Sequence, residues 1–218
     1  MRKLKYFAPL LIAIACFGFQ QARATTTYTL SVGNPDIAGY PGPYGSVSVS
    51  LSGGVATITF TANQVGAYQY MFGDGGSVGV NVNNAYGAWT FNGVTSASNV
   101  GGAFFTPGPY SDGGAGNEDG FGSFNQTINS FDGFQHSATT VTFTLTGNWA
   151  SDAVVLAPNA SGNRVAAHIF IANYPDYTNT NVTGYATEGG NVPDGGTTVM
   201  LLGVALGALG MARRYLMS

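Results

Sequence analysis

Cysteine, lysine and charge are what this chain has least of. Of its 218 residues only Cys16 is a cysteine, and it lies in an apolar N-terminal stretch. Once that stretch is removed, the chain has no disulfide, no thiol nucleophile and no cysteine-based zinc site. Charged residues make up 8% of the sequence. Between Thr25 and Asn191, nine acidic residues stand against one basic residue, Arg164, a formal charge of −8 with no lysine at all. Such a segment cannot neutralise phosphates, which excludes nucleic-acid binding and makes anionic membrane surfaces a poor target. Helical periodicity is missing too: no window between Thr25 and Asn191 repeats its apolar residues every 3.6 positions.

Alternation with period two is abundant instead. Val47, Val49 and Leu51 alternate with serines, Gly53-Gly54 follows, and Ala56, Ile58 and Phe60 alternate with threonines. A two-residue loop sets Val49 opposite Ile58 and Val47 opposite Phe60, so every apolar side chain of the hairpin reaches one face. Thr139–Thr146 and Val165–Asn173 repeat the pattern. Further strands are expected at Tyr28–Val32, Tyr68–Phe72, Val78–Val82, Ala88–Asn92, Phe124–Phe131, Ala153–Leu156 and Val182–Ala186. Many short strands separated by Gly, Pro and Asn predict a single all-β ectodomain over residues 25–191, an antiparallel β-sandwich of jelly-roll type.

Both ends read as addresses. Met1–Ala24 has Arg2, Lys3 and Lys5, an apolar stretch from Phe7 to Phe19, and Ala22-Arg23-Ala24 before Thr25. That is the pattern of a secretory signal peptide cleaved between Ala24 and Thr25, with the Sec machinery as partner. Residues 192–218 hold Val192-Pro193-Asp194-Gly195-Gly196, an apolar run from Thr197 to Ala212, and Arg213-Arg214. A helix over that run would span roughly 24 Å, enough for a transmembrane anchor in a thin bilayer, with the arginines on the cytoplasmic side. This tripartite tail resembles the PEP-CTERM exosortase-sorting signal of Gram-negative bacteria, in the variant whose motif begins V-P-D-S-G; Gly195 stands where that variant has Ser. The resemblance implies export, transient retention in the inner membrane by the C-terminal helix, and processing by an exosortase. It also implies delivery to the cell surface or an exopolysaccharide (biofilm) matrix. Val192, Pro193, Asp194 and Gly195 are then substrate positions of another enzyme.

Signals for chemistry within the ectodomain are thin. Gly75-Gly76-Ser77-Val78-Gly79 matches G-x-S-x-G, but a nucleophile elbow needs a strand–turn–helix, and a chain with 33 glycines matches the pattern by chance. His136 and His168 have no metal-ligand spacing between them. Asp112, Asn117, Glu118 and Asp119 sit in what reads as a Gly-rich loop, first as a solvated acidic loop and second as one whose oxygens could hold Ca²⁺. Glu118, Asp119, Asp132 and Asp152 supply carboxylates for glycoside hydrolysis, with nothing to select a pair. Aromatic–proline loops at Tyr40–Tyr44, Phe104–Tyr110 and Tyr174–Tyr177 would suit sugars if exposed, or close the ends of the domain if buried. The sequence therefore predicts a non-enzymatic surface or matrix protein without a required cofactor, with a lectin-like module, Ca²⁺-assisted or not, and a polysaccharide-active enzyme as alternatives.

Overall fold

A computed structural model describes residues 24–74, 76–100, 105–130 and 133–193. Residues 1–23 of the expected signal peptide, which runs to Ala24, and the tail from Asp194, its membrane-length run and Arg213-Arg214 included, lie outside the described residues. The all-β, antiparallel expectation holds, and no α-helix occurs among the described residues. The described residues hold twelve strands: β1 (Thr25–Gly33), β2 (Gly45–Ser52), β3 (Val55–Ala62), β4 (Gln64–Val65), β5 (Tyr68–Phe72), β6 (Gly76–Val80), β7 (Thr90–Ser98), β8 (Ser111–Glu118), β9 (Gly122–Asn129), β10 (Thr140–Thr146), β11 (Val165–Asn173) and β12 (Thr178–Pro193).

They form one hydrogen-bonded sheet in the order β7-β10-β3-β2-β1-β12-β11-β6-β9-β8, with β5 added to β11 and β4 to β5. The two ends of this path, β7 and β8, come into contact without pairing, so the sheet is partly barrel-like. Chain order and sheet order differ most at the centre, where the first and last strands lie side by side. β12 is the strand through which the half-sheet ending in β1 is joined to the half-sheet beginning with β11.

The β2–β3 hairpin has the expected register, Val47 opposite Phe60 and Val49 opposite Ile58. Gly53 and Gly54 close it with φ of 57° and 78°, the left-handed pair a two-residue hairpin turn requires. Inward-facing residues of every long strand except β8 meet in one core. Phe60 is central to it, edge-on to Phe72 with centroids 5.9 Å apart and stacked on Phe143 at 6.3 Å. β11 is buried on both faces. Val165, Ala167, Ile169 and Ile171 join the main core, while Ala166 packs with Phe121 and Phe124, and Phe170 with Met71 and Phe105.

Two expectations are corrected. Ala153–Leu156 is not a strand: Asp152–Val154 form a 3-10 turn, and Leu156 makes a single bridge to Val82. Val155 and Leu156 are both buried, and consecutive residues of a strand cannot both face one core; a turn lets them do so. The Gly-rich Ser111–Glu118 segment, read as part of a loop, is strand β8, paired with β9. Its backbone supplies the ladder, and it gave no signal because it has almost no side chains to alternate.

Candidate functional site

A few polar groups gather where β12 lies between β11 and β1. The Glu188 carboxylate accepts from the backbone N–H of Arg164 (2.8 Å) and of Val165 (2.9 Å), with the Arg164 guanidinium 3.5 Å away. It holds β12 against β11 where their pairing runs out. Opposite, the Thr26 hydroxyl donates to Asp152 at 2.8 Å. The Tyr28 ring fills the core between them, and its buried hydroxyl has no partner among the described residues. Burial pushes that phenol up to about 12, with the Arg164 charge pulling the other way. Past this cluster β12 continues along β1, with Asn191 opposite Tyr28, Val192 opposite Thr27 and Pro193 opposite Thr26. The first two residues of the expected sorting motif are thus backbone positions of a strand. Asp194, Gly195 and Gly196 lie outside the described residues, and of the expected cleavage positions Ala22 does as well; Ala24 precedes β1 and Thr25 begins it.

The proposed calcium ligands do not converge. Asp112 stands at the start of β8 and Glu118 at its end, six residues on, roughly 20 Å apart in an extended strand. The Asp112 carboxylate is already used, accepting from Gly114 N–H (2.9 Å) and from the Gln126 amide (2.8 Å). Asn117 pairs with Ser123 across the β8–β9 turn, and Asp119 is exposed in that turn. Glu118 is fully buried against Gly79, and neither of its carboxyl oxygens has a hydrogen-bond partner among the described residues. Desolvation pushes its pKa well above the ordinary carboxyl value, which favours the neutral acid. Among the described residues no three His, Cys, Asp or Glu side chains gather as a metal site.

Other chemistry candidates are used in packing. Ser77 lies in strand β6 and donates to the Ile128 carbonyl at 2.9 Å, which removes the nucleophile-elbow reading; Gly75 lies outside the described residues. The His168 Nδ1 bonds to the Gly73 carbonyl at 2.8 Å and its Nε2 to the Thr183 hydroxyl, while the ring stacks on Tyr185 at 4.6 Å. Burial lowers its pKa, against the opposing pull of the Gly73 bond and the Asp74 charge. The His136 Nδ1 meets the carbonyls of Thr106 and Gly108. Of the glycosidase carboxylates, Asp152 is bonded to Thr26 and Asp132 lies outside the described residues.

Most aromatic–proline loops bury their rings. Tyr44 and Tyr70 lie edge to face at 5.1 Å inside the core, and Phe105 is buried against Phe134. Among the described rings of these loops, Tyr174 alone is a large exposed surface, 43% accessible and edge-on to Tyr177.

The feature sequence reasoning passed over is the outside of the β7-β10-β3-β2-β1 half-sheet. Register aligns its outward residues in rows: Ser98–Thr140–Thr61–Ser46–Thr29, then Ser96–Thr142–Thr59–Ser48–Thr27, then Thr144–Thr57–Ser50–Thr25. Every position carries a hydroxyl and none a charge. Rows repeat about every 6.8 Å along the strands and about every 4.8 Å across them. Thr59 and Thr142 bond each other at 3.0 Å, and the Asn92 amide extends the grid to Thr146 at 2.9 Å. The alternating serines and threonines were the available signal; only the strand order shows that they share one face.

No curated protein and no solved structure matches the chain. A family model described as the VPDSG-CTERM motif matches residues 191–216, from the end of β12 through the terminal arginines. The chain therefore carries a PEP-CTERM-like exosortase sorting signal, and it is an exported, surface-associated protein.

Proposed function

We propose that the mature protein is a non-enzymatic, metal-independent component of the cell surface or extracellular matrix that lies against exopolysaccharide. On this reading a signal peptide over residues 1–24 starts export. The apolar run from Thr197 then holds the precursor in the inner membrane until exosortase removes it, and the jelly-roll-like sandwich remains outside. The observation that carries the polysaccharide contact is the hydroxyl grid of β1, β2, β3, β10 and β7. A neutral, hydroxyl-rich polymer exchanges hydrogen bonds with such a face without desolvating a charge, and the methyl groups of the threonines offer apolar contact beside each hydroxyl. A strongly acidic polymer would be repelled by the rest of the domain.

The test is co-sedimentation of the mature protein with exopolysaccharide from its own host, with and without chelator. Retention of the wild type, insensitive to chelator, and at least tenfold weaker retention of Ser48→Glu/Thr57→Glu/Thr142→Glu support the reading. Equal retention of the triple variant would move the contact elsewhere, Tyr174 and Tyr177 first. No retention of the wild type would remove the polysaccharide contact altogether.

A further inference from the structure

The sorting signal and the folded domain overlap. The matched motif begins at Asn191, and β12 runs to Pro193. On one side of β12 the last paired position is Thr187, opposite Ala166 of β11, and the Glu188 carboxylate completes that junction. On the other side the ladder with β1 continues to Thr26 opposite Pro193. Among the described residues, Asn191–Pro193 are therefore held by β1 alone. Pro193 has no N–H to give, which suits it to the last position of a ladder. Four residue steps separate Pro193 from Thr197, where the apolar run begins, at most about 14 Å of extended chain.

We propose that β1 gates the processing of the tail: exosortase receives the motif only after Asn191–Pro193 have been peeled from Tyr28, Thr27 and Thr26. An enzyme that takes a peptide in extended form does so through the peptide's own backbone N–H and C=O groups. In the folded precursor the groups of this stretch that face β1 are committed to it. Peeling does not dismantle the domain, because the β12 ladder with β11, which runs from Thr178 to Thr187, and the Glu188 clamp both lie upstream of the peeled residues. The gate also links folding to sorting. β12 joins the two half-sheets, so the strand that completes the sheet is the one that leads into the motif.

The gate rests on the exosortase reading above, and the experiment separates the two. Thr27 and Val192 stand directly opposite each other. Cα atoms at such positions are about 4.5–5.5 Å apart, within reach of a disulfide. The full-length precursor carrying Cys16→Ser, Thr27→Cys and Val192→Cys is incubated with membranes containing the cognate exosortase, oxidised or reduced. The oxidised form, its bridge verified by intact mass, is expected to be processed at least tenfold more slowly than the reduced form. Single-cysteine controls should be indifferent to the oxidant. Equal rates for the bridged and reduced forms would overturn the gate. A wild-type precursor left unprocessed by the same membranes would instead count against the sorting reading. Should Val192→Cys itself block processing, hydrogen exchange on the wild-type precursor decides. Either the Asn191 or the Val192 amide must be protected to the same order as the paired amides of Thr26–Tyr28, and free-coil exchange at both overturns the gate whatever the enzyme does.

Discussion

Glu118 is the sharpest test of the packing described here, because a carboxyl with no partner makes a signed prediction with pH. Both oxygens are buried without a hydrogen bond among the described residues, against Gly79 and near Phe121, Phe124 and Tyr185. Its pKa in the folded protein is raised well above the ordinary carboxyl value of 4.5. Below that value the side chain is protonated in both folded and unfolded chains, and the site contributes no pH dependence. Above it the unfolded chain releases a proton that the folded chain retains. Stability then falls by about 1.4 kcal/mol per pH unit until the folded group itself ionises. Glu118→Gln has no proton to lose and removes that slope, leaving an amide as poorly partnered as the acid. Glu118→Met removes the unpartnered polar group as well, which is worth about 1–3 kcal/mol. For a domain of this size that is roughly 2–10 °C in Tm. The assay is urea unfolding of residues 25–193 followed by tryptophan fluorescence at pH 4, 5, 6 and 7. Wild type and Glu118→Gln should coincide at pH 4 and diverge upward from pH 5, the variant becoming the more stable. Parallel curves across this range would refute a neutral buried acid at position 118. A Glu118→Met protein less stable than wild type at pH 7 would mean that the carboxyl has partners not seen here.

The same pocket predicts a coupling: Gly79→Ala places a methyl 3.0 Å from the Glu118 Oε1, so its destabilisation should shrink by about 1 kcal/mol in a Glu118→Ala background, read from a double-mutant cycle. Glu188→Ala strands the backbone N–H groups of Arg164 and Val165 and should cost about 2–4 kcal/mol of unfolding free energy by urea titration. Phe143→Ala opens the core between Phe60 and Phe91 and should cost about 3–5 kcal/mol, whereas Thr144→Val, one residue on and outward-facing, should stay within about 0.5 kcal/mol. Equal effects at positions 143 and 144 would contradict the inward and outward assignment of β10.

Where side chains alternate, the sequence was enough to place strands. β2, β3, β5, β10 and β11 stand where expected, and the β2–β3 register follows from Gly53-Gly54 and the period of two. The failures share a cause. β8, Ser-Asp-Gly-Gly-Ala-Gly-Asn-Glu, pairs mainly through its backbone, and backbone hydrogen bonding leaves no trace in composition. Val154–Leu156 is apolar without alternation, and an apolar run serves a turn that folds back on the core as well as it serves a strand. Nor does any local pattern report that β1 and β12, at opposite ends of the chain, are neighbours. That contact closes a loop of more than 150 residues and depends on the whole topology.

The candidate sites failed for a related reason. Asp112, Asn117, Glu118 and Asp119 are close in sequence, and a loop would have let their oxygens turn toward one ion. A strand instead carries neighbouring side chains to opposite faces and spreads them along its length. Sequence proximity is evidence for a ligand set only when the backbone between the ligands can curl, and pairing with β9 forbids that here. The hydroxyl grid is the converse case. Thr27, Ser48, Thr59, Thr142 and Ser96 are scattered over more than a hundred residues, and only the strand order brings them into one row. The sorting motif was legible because it is read along the chain by another protein, whereas the surface and the strand that holds the motif's first residues are properties of the sheet. On the proposed gate, processing depends on sequence for recognition and on β1 for access, and a variant can lose either one while keeping the other.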